Sequence, residues 1–450
     1  MFSNAKYLIL TLVIGAFGLT TASSQDLQAD IANVKFKLTD FKNPNEFLQR
    51  PGLMRFSPEN KLLAVSGRST DIIIYDLSTG EIRSKIDGKG YNAFSFLPNG
   101  KTALARDNDF QLRVFDLENG RMLRELKGMV ASSDEGSPYV SRNLGGTEMQ
   151  PIDLSPDYKK VLTIKGTRLF ELVDFETGKT LYALRNPDKS RAGLMLLKAA
   201  YGFETSFLNG LLTLKQETNF TLDGKHVLVS NVSRTATIWD VESGSMVAKI
   251  GPLENTIVNE AFSPDGKFLA TTDSEGVTMI WSVPEGKLLS TIGSEKDSNY
   301  IAAWSPDSNF IWTIAYKEDA RSYDARTGKL VMTLANSKAS GISYSPDGKF
   351  VLTKTATDKK SYGSVWQAES GTLVAPIPRS KNDQMPYRLL FDPFGKYVVS
   401  ASKKDVKIWD INGKLLQNLE NAVFPVRFSN DGQLLVTGGK KDTGYVWNIR

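Results

Sequence analysis

The stretch 261–293, AFSPDGKFLATTDSEGVTMIWSVPEGKLLSTIG, constrains this chain more than any other. Its punctuation predicts four short strands. Phe262 ends the first, and Ser263-Pro264-Asp265-Gly266 turns the chain, Pro presetting φ and Gly tolerating a positive one. The next strands are expected over 267–272, 277–281 and 287–292, with turns at Asp273-Ser274-Glu275-Gly276 and Pro284-Glu285-Gly286. Four strands cannot cover both faces of their own sheet, so the unit demands neighbours like itself.

The sequence supplies them. The first strand and its turn recur nine times: RFSPENK (55–61), SFLPNGK (95–101), DLSPDYK (153–159), NFTLDGK (219–225), AFSPDGK (261–267), AWSPDSN (303–309), SYSPDGK (343–349), LFDPFGK (390–396) and RFSNDGQ (427–433). Each leads through an apolar segment to a tripeptide ending: IYD (74–76), VFD (114–116), LVD (172–174), IWD (238–240), IWS (280–282), SYD (322–324), VWQ (365–367), IWD (408–410) and VWN (446–448). These endings, the Asp-Gly-Lys turns and a period near forty residues resemble the WD40-repeat family over 33–450. The turns also resemble those of TolB-type periplasmic propellers. The resemblance implies an all-β fold, one closed β-propeller of nine four-stranded blades, with eight as the alternative if one copy is degenerate. The family's Gly-His dipeptide is missing and His226 is the single histidine, so its histidine-bearing tetrad cannot form and blades are expected to hold by packing.

The ninth copy ends at Arg450, straight after its third strand, while residues 33–38 (NVKFKL) alternate as a strand ahead of the first copy. That N-terminal strand is expected to complete the last blade and remove the open edges. Residues 129–148 and 187–215 interrupt the rhythm before copies three and four. The second insertion carries a short helix pattern and an Asn-Gly hairpin signal at Asn209-Gly210. Its apolar content fits either a recognition element or a lid on the channel.

Residues 1–24 read as a signal peptide: Lys6 is their one charge, an apolar run follows from Tyr7 to Leu19, and small residues close the segment. Cleavage is expected before Gln25 or after Ala22, giving a periplasmic or secreted protein with no membrane span; a retained anchor is the alternative. The chain has no cysteine, which excludes disulfides and a cysteine-linked lipid anchor. A net charge of +5 is too mild to imply a nucleic-acid partner.

Chemistry has little foothold. Tyr75, Phe115, Val173, Trp239, Trp281, Tyr323, Trp366, Trp409 and Trp447 share one position on the third strand, which reads as packing between blades rather than a ligand platform. His226 stands alone at a routine turn, without partners for a metal site. The Asp-Gly turn aspartates Asp157, Asp223, Asp265, Asp307, Asp347 and Asp431 belong to separate blades and read as turn formers, not calcium ligands. The Asp-x-x-Thr-Gly-Lys string at Asp174 and Asp324 is similar to that of quinone-dependent propellers but lacks their closing tryptophan. No cofactor, metal or catalytic residue is assigned.

One pattern stands out in the turn between second and third strands. It carries Arg68, Arg106, Lys165 with Arg168, Arg234, Lys317, Lys359-Lys360, Lys403-Lys404 and Lys440-Lys441, and only blade five opposes it, with Asp273 and Glu275. Glu318, Asp319, Asp405 and Asp442 lie close enough to offset part of this charge. In the resembled family these turns share the top rim with the insertions. The expectation is a monomeric, non-catalytic scaffold that binds an acidic protein or peptide there. The alternative is a propeller enzyme, or a binder of carbohydrate or anionic polymer, with its site at the channel.

Overall fold

The alternation of short apolar runs with Pro, Asp and Gly turns yields a chain of antiparallel meanders. In this computed structural model the described residues are 32–39, 53–66, 71–87, 91, 93–107, 111–126, 154–165, 169–185, 220–230, 234–293, 300–315, 318–355, 360–379, 385–439 and 443–449. Residues 1–24 and both insertions lie outside them.

Nine sheets follow one another along the chain, each pairing its strands antiparallel in sequence order. Blade five consists of Ile257–Phe262, Phe268–Asp273, Thr278–Ser282 and Leu288–Ile292, within a residue of the expected bounds. In blades three and four the described first strand is reduced to one bridge, Leu154 to Val161 and Phe220 to Val227. Both follow the insertions. Elsewhere the blades have four strands, so the count is nine rather than eight.

Nine apolar layers separate the nine blades. The layer between blades nine and one joins Leu434, Val436 and Val446 to Met54, Phe56 and Tyr75, and closes the ring. The last blade is completed by Ala32–Leu38, which pairs with Gly444–Ile449, matching Asn33 with Asn448 and Leu38 with Gly444. Closure is repeated at the turns. The Asn430 N–H donates to Asn60 Oδ1 at 3.0 Å, and the Asn430 side-chain amide to the Ser57 carbonyl at 3.3 Å. First strands form the inner wall, where 257–262 meets 300–304 and 300–304 meets 339–344.

Packing between blades accounts for the repeated aromatic. Trp281, Trp366, Trp409 and Trp447 are all buried, each against the preceding blade. Packing is not the whole account, however. Each of these indoles also donates its N–H to a hydroxyl on the second strand: Trp281 to Thr271, Trp366 to Thr353 and Trp409 to Ser400, all at 2.9 Å, and Trp447 to Thr437 at 3.0 Å. The hydroxyl sits two residues beyond the tryptophan's cross-strand partner. In blade four that place is Val229, and Trp239 turns to Thr237 on its own strand at 2.9 Å. The expectation of blades held by packing alone is therefore corrected, because a Trp–hydroxyl pair needs no histidine.

The Ser-Pro-Asp-Gly turns are self-contained. In blade seven Ser345 Oγ donates to Asp347 Oδ1 at 2.7 Å and accepts from the Phe350 N–H at 2.9 Å, while the Lys349 N–H donates to Asp347 at 3.1 Å. Gly348 takes φ +72°, a conformation a side chain would strain.

Candidate partner-binding rim

Antiparallel order puts every turn between second and third strands at the same end of the ring as every passage from a fourth strand to the next first strand. The strands flanking both insertions therefore open toward this end. Of the predicted rim residues, Arg106, Arg234, Lys360, Lys403 and Lys404 fall among the described side chains. Arg68, Arg168, Lys317, Lys359, Lys440 and Lys441 lie outside the described residues, as does the side chain of Lys165, whose backbone ends Lys160–Lys165.

The described five differ in setting. Arg106 ends Thr102–Arg106 and is half-buried beside Asp107, a buried carboxylate paired with Arg113. Arg234 is exposed, and its carbonyl accepts the Leu253 N–H at 2.8 Å. Lys360, Lys403 and Lys404 are exposed.

Of the neighbouring acids, Asp405 and Asp319 are engaged by other groups, and Asp442 lies outside the described residues. Asp405 accepts from Ser402 Oγ at 2.5 Å and pairs with Lys407 at 3.1 Å. Asp319 accepts the Asn336 N–H at 3.0 Å and pairs with Lys338 at 3.4 Å; burial is the largest influence and raises its pKa, but the Asn336 and Lys338 N–H groups together with the Lys338 ammonium hold the carboxyl below the usual range. In blade five Asp273 is buried and accepts the N–H groups of Glu275 and Val277 at 3.0 and 2.9 Å. It shapes its turn rather than presenting charge.

Lys403 instead lies over the Tyr387 ring, 5.9 Å from its centroid, and Tyr387 tilts against Phe424 at 5.2 Å. From below, Lys354 Nζ donates to the Tyr387 carbonyl at 3.1 Å. Burial pushes the Lys354 ammonium down to about 8, and the charge of Arg388 adds to the effect. Arg388 opens the first strand of blade eight; Arg427 and Arg55 stand two places further along the first strands of blades nine and one, each just before the layer-forming aromatic. None of these inner-wall residues is singled out by the turn pattern. Arg55 and Arg427 stand in the repeated heptapeptides, and strand alternation was the signal that could have separated them from Phe56 and Phe428.

The other candidates resolve into architecture. His226 begins a second strand at the opposite end, its N–H donating to Thr221 Oγ1 at 3.1 Å. Asp174 and Asp324 accept from the hydroxyls of Thr177 and Thr327 at 2.6 and 2.8 Å, inside their own turns. Among the described residues no group of three His, Cys, Asp or Glu side chains converges on a metal position. Glu260 is the one carboxylate on the described first strands, and Ser230 donates to it at 2.9 Å.

The model of the family "WD domain, G-beta repeat" matches residues 382–410, which cover the first three strands of blade eight. The fold is a WD40-type β-propeller. Among solved structures, the C-terminal WD40 domain of Sif2 is similar at 11% identity and TM-score 0.50, covering 94% of this chain and 99% of that one. A eukaryotic initiation factor matches at 15% identity and TM-score 0.56, over 85% of this chain and 92% of its own. The computationally designed Ika8 protein matches at 15% identity and TM-score 0.50, over 82% and 99%. At these identities the likeness is one of fold. No curated protein matches the chain.

Proposed function

We propose that this WD40-type propeller is an exported, non-catalytic scaffold that engages an acidic protein or peptide through its top rim. The leader-like residues 1–24 support export to the periplasm or beyond by the general secretory route. The observation that carries the binding role is the blade-eight turn, where Lys403 and Lys404 are exposed while the adjacent Asp405 is engaged by Ser402 and Lys407. Charge held on a rigid rim steers encounter with an oppositely charged surface more than it adds affinity.

Affinity capture from the protein's own envelope fraction, run in parallel with the parent and with Lys403→Glu/Lys404→Glu, tests this reading. An acidic partner should be retained by the parent, with association slowed in the variant by about tenfold or more at low salt and by less near 0.5 M salt. Melting temperatures should agree, since exposed surface charges contribute little to stability. Equal association rates for the two proteins would reject the rim as the binding face.

A further inference from the structure

Lys354 occupies an unusual place in a propeller blade. It lies in the second strand of blade seven, Phe350–Thr355, flanked by glycine on both neighbouring strands: Gly341 on the inner side and Gly363 on the outer. Leu352 packs into the layer between blades seven and eight, so alternation directs Lys354 to the same side.

The two glycines are present for different reasons. A Cβ at Gly363 would collide with the Thr353 carbonyl and approach Leu389 of blade eight to 2.9 Å, so close packing requires that glycine. Among the described residues a Cβ at Gly341 would meet only Lys354 Cβ, at 3.8 Å, and the glycine's φ lies outside the left-handed region. Neither space nor backbone geometry demands glycine there. The consequence of Gly341 is a recess on the inner side of the Lys354 stem, bare of side chain among the described residues.

The ammonium at the end of that stem has a sparse set of partners. Its hydrogen bond goes to the Tyr387 carbonyl, and among the described residues no carboxylate pairs with it. Arg388, immediately after Tyr387, adds the field of a second positive charge, and Lys403 lies across the Tyr387 ring. A partly buried ammonium with another cation in its field is disfavoured in the folded state. An anion seated in the recess would relieve that cost.

We propose that Lys354, Arg388 and the recess at Gly341 form a binding site for a compact oxyanion, a carboxylate or phosphate group, on the inner wall between blades seven and eight. Lys354 would donate two charge-assisted hydrogen bonds in addition to the one it gives Tyr387, and Arg388 would contribute field. This site does not depend on the proposed protein partner: it takes the small anion by itself.

The test is lysine-selective NMR of the full protein, titrated with inorganic phosphate and separately with acetate at constant ionic strength. The Lys354 signal is identified by its loss in Lys354→Met. A saturable shift is expected with at least one anion, together with a rise of the Lys354 titration midpoint from about 8 toward the ordinary lysine value. A response to phosphate alone, to acetate alone or to both tells which group the recess accepts.

Arg388→Gln should weaken binding by about tenfold, and Gly341→Val should abolish it by filling the recess. Lys354→Met should melt no lower than the parent, because it removes a partly buried charge and keeps most of the length of the stem. A purely structural lysine would show the reverse, a lower melting temperature with no anion response. Absence of a saturable shift with either anion, or binding undiminished by Gly341→Val and Arg388→Gln in folded proteins, would overturn the assignment.

Discussion

A tryptophan in this fold is one half of a pair, and the partner hydroxyl shows the energetics most directly. Trp366 donates its indole N–H to Thr353 Oγ1 at 2.9 Å inside blade seven. Blade six keeps the equivalent threonine, Thr313, but has Tyr323 where the tryptophan would stand, and Thr313 Oγ1 is buried without a hydrogen-bond partner. One substitution should therefore act with opposite signs in adjacent blades. Thr353→Val leaves a buried donor unsatisfied and should cost about 1–3 kcal/mol. Thr313→Val removes an orphaned hydroxyl at nearly constant shape and should be neutral or stabilising by up to about 1 kcal/mol. Urea unfolding of the two variants decides it, and equal losses would show that the hydroxyls matter only as packing volume. Half of this was legible in the sequence. The tryptophan positions are visible as a period, whereas the hydroxyls are not, because their register follows from cross-strand pairing two residues away.

At the scale of the element, the Ser-Pro-Asp-Gly turns carry most of the fold's sequence signature and some of its pH dependence. Ser345 donates to Asp347 and holds its carboxyl below the usual range against a smaller desolvation effect, with the Lys349 N–H assisting. Thr177 and Ser243 do the same for Asp174 and Asp240 in the turns that follow third strands. In Asp265 and Asp431 desolvation is the largest influence and opposes the shift, yet the serine and backbone donors together prevail. A carboxylate depressed in the folded state contributes stability that is present above its unfolded value, near pH 4, and is lost as pH falls through the folded one. Replacing Asp265, Asp347 and Asp431 together with Asn should flatten the fall in stability between about pH 5 and pH 2, measured by urea unfolding across that range. An unchanged slope would place the acid sensitivity elsewhere. These turns were readable because proline, aspartate and glycine each meet a local backbone demand. Lys354 was not: a lysine inside a strand pattern has no local meaning until the glycines on both sides and the Tyr387 carbonyl are in place. The same holds for Asp405, close in sequence to the rim lysines and yet bonded to Ser402 and Lys407.

For the molecule as a whole, stability depends on a ring whose two chain ends meet in one sheet. The alternating residues 33–38 suggested this, and Ala32–Leu38 indeed runs antiparallel to Gly444–Ile449. The strand does more than cover an edge. Leu38 is fully buried and, with the partly buried Phe36, enters the layer between blades nine and one, while Ala32 enters the layer between eight and nine. Ala32 also exchanges hydrogen bonds with the Gln417 side chain of blade eight at 2.8 and 2.7 Å. Burying Leu38 and Phe36 is worth about 3–6 kcal/mol on area grounds, before the ladder is counted. A protein beginning at residue 41 should therefore melt well below one beginning at residue 25, and its bare 444–449 edge should promote association. Leu38→Ala, which keeps the ladder, should lose only about 2–5 kcal/mol and remain monodisperse. That contrast separates lost packing from an opened edge. A synthetic peptide spanning 25–40, added to the truncated protein, should restore both melting temperature and monodispersity if the strand acts as a separable closing element. A truncated protein that melts with the parent, or one that the peptide leaves unchanged, would mean that the ring is held by its blade interfaces and the Asn430–Asn60 turn contact without this strand.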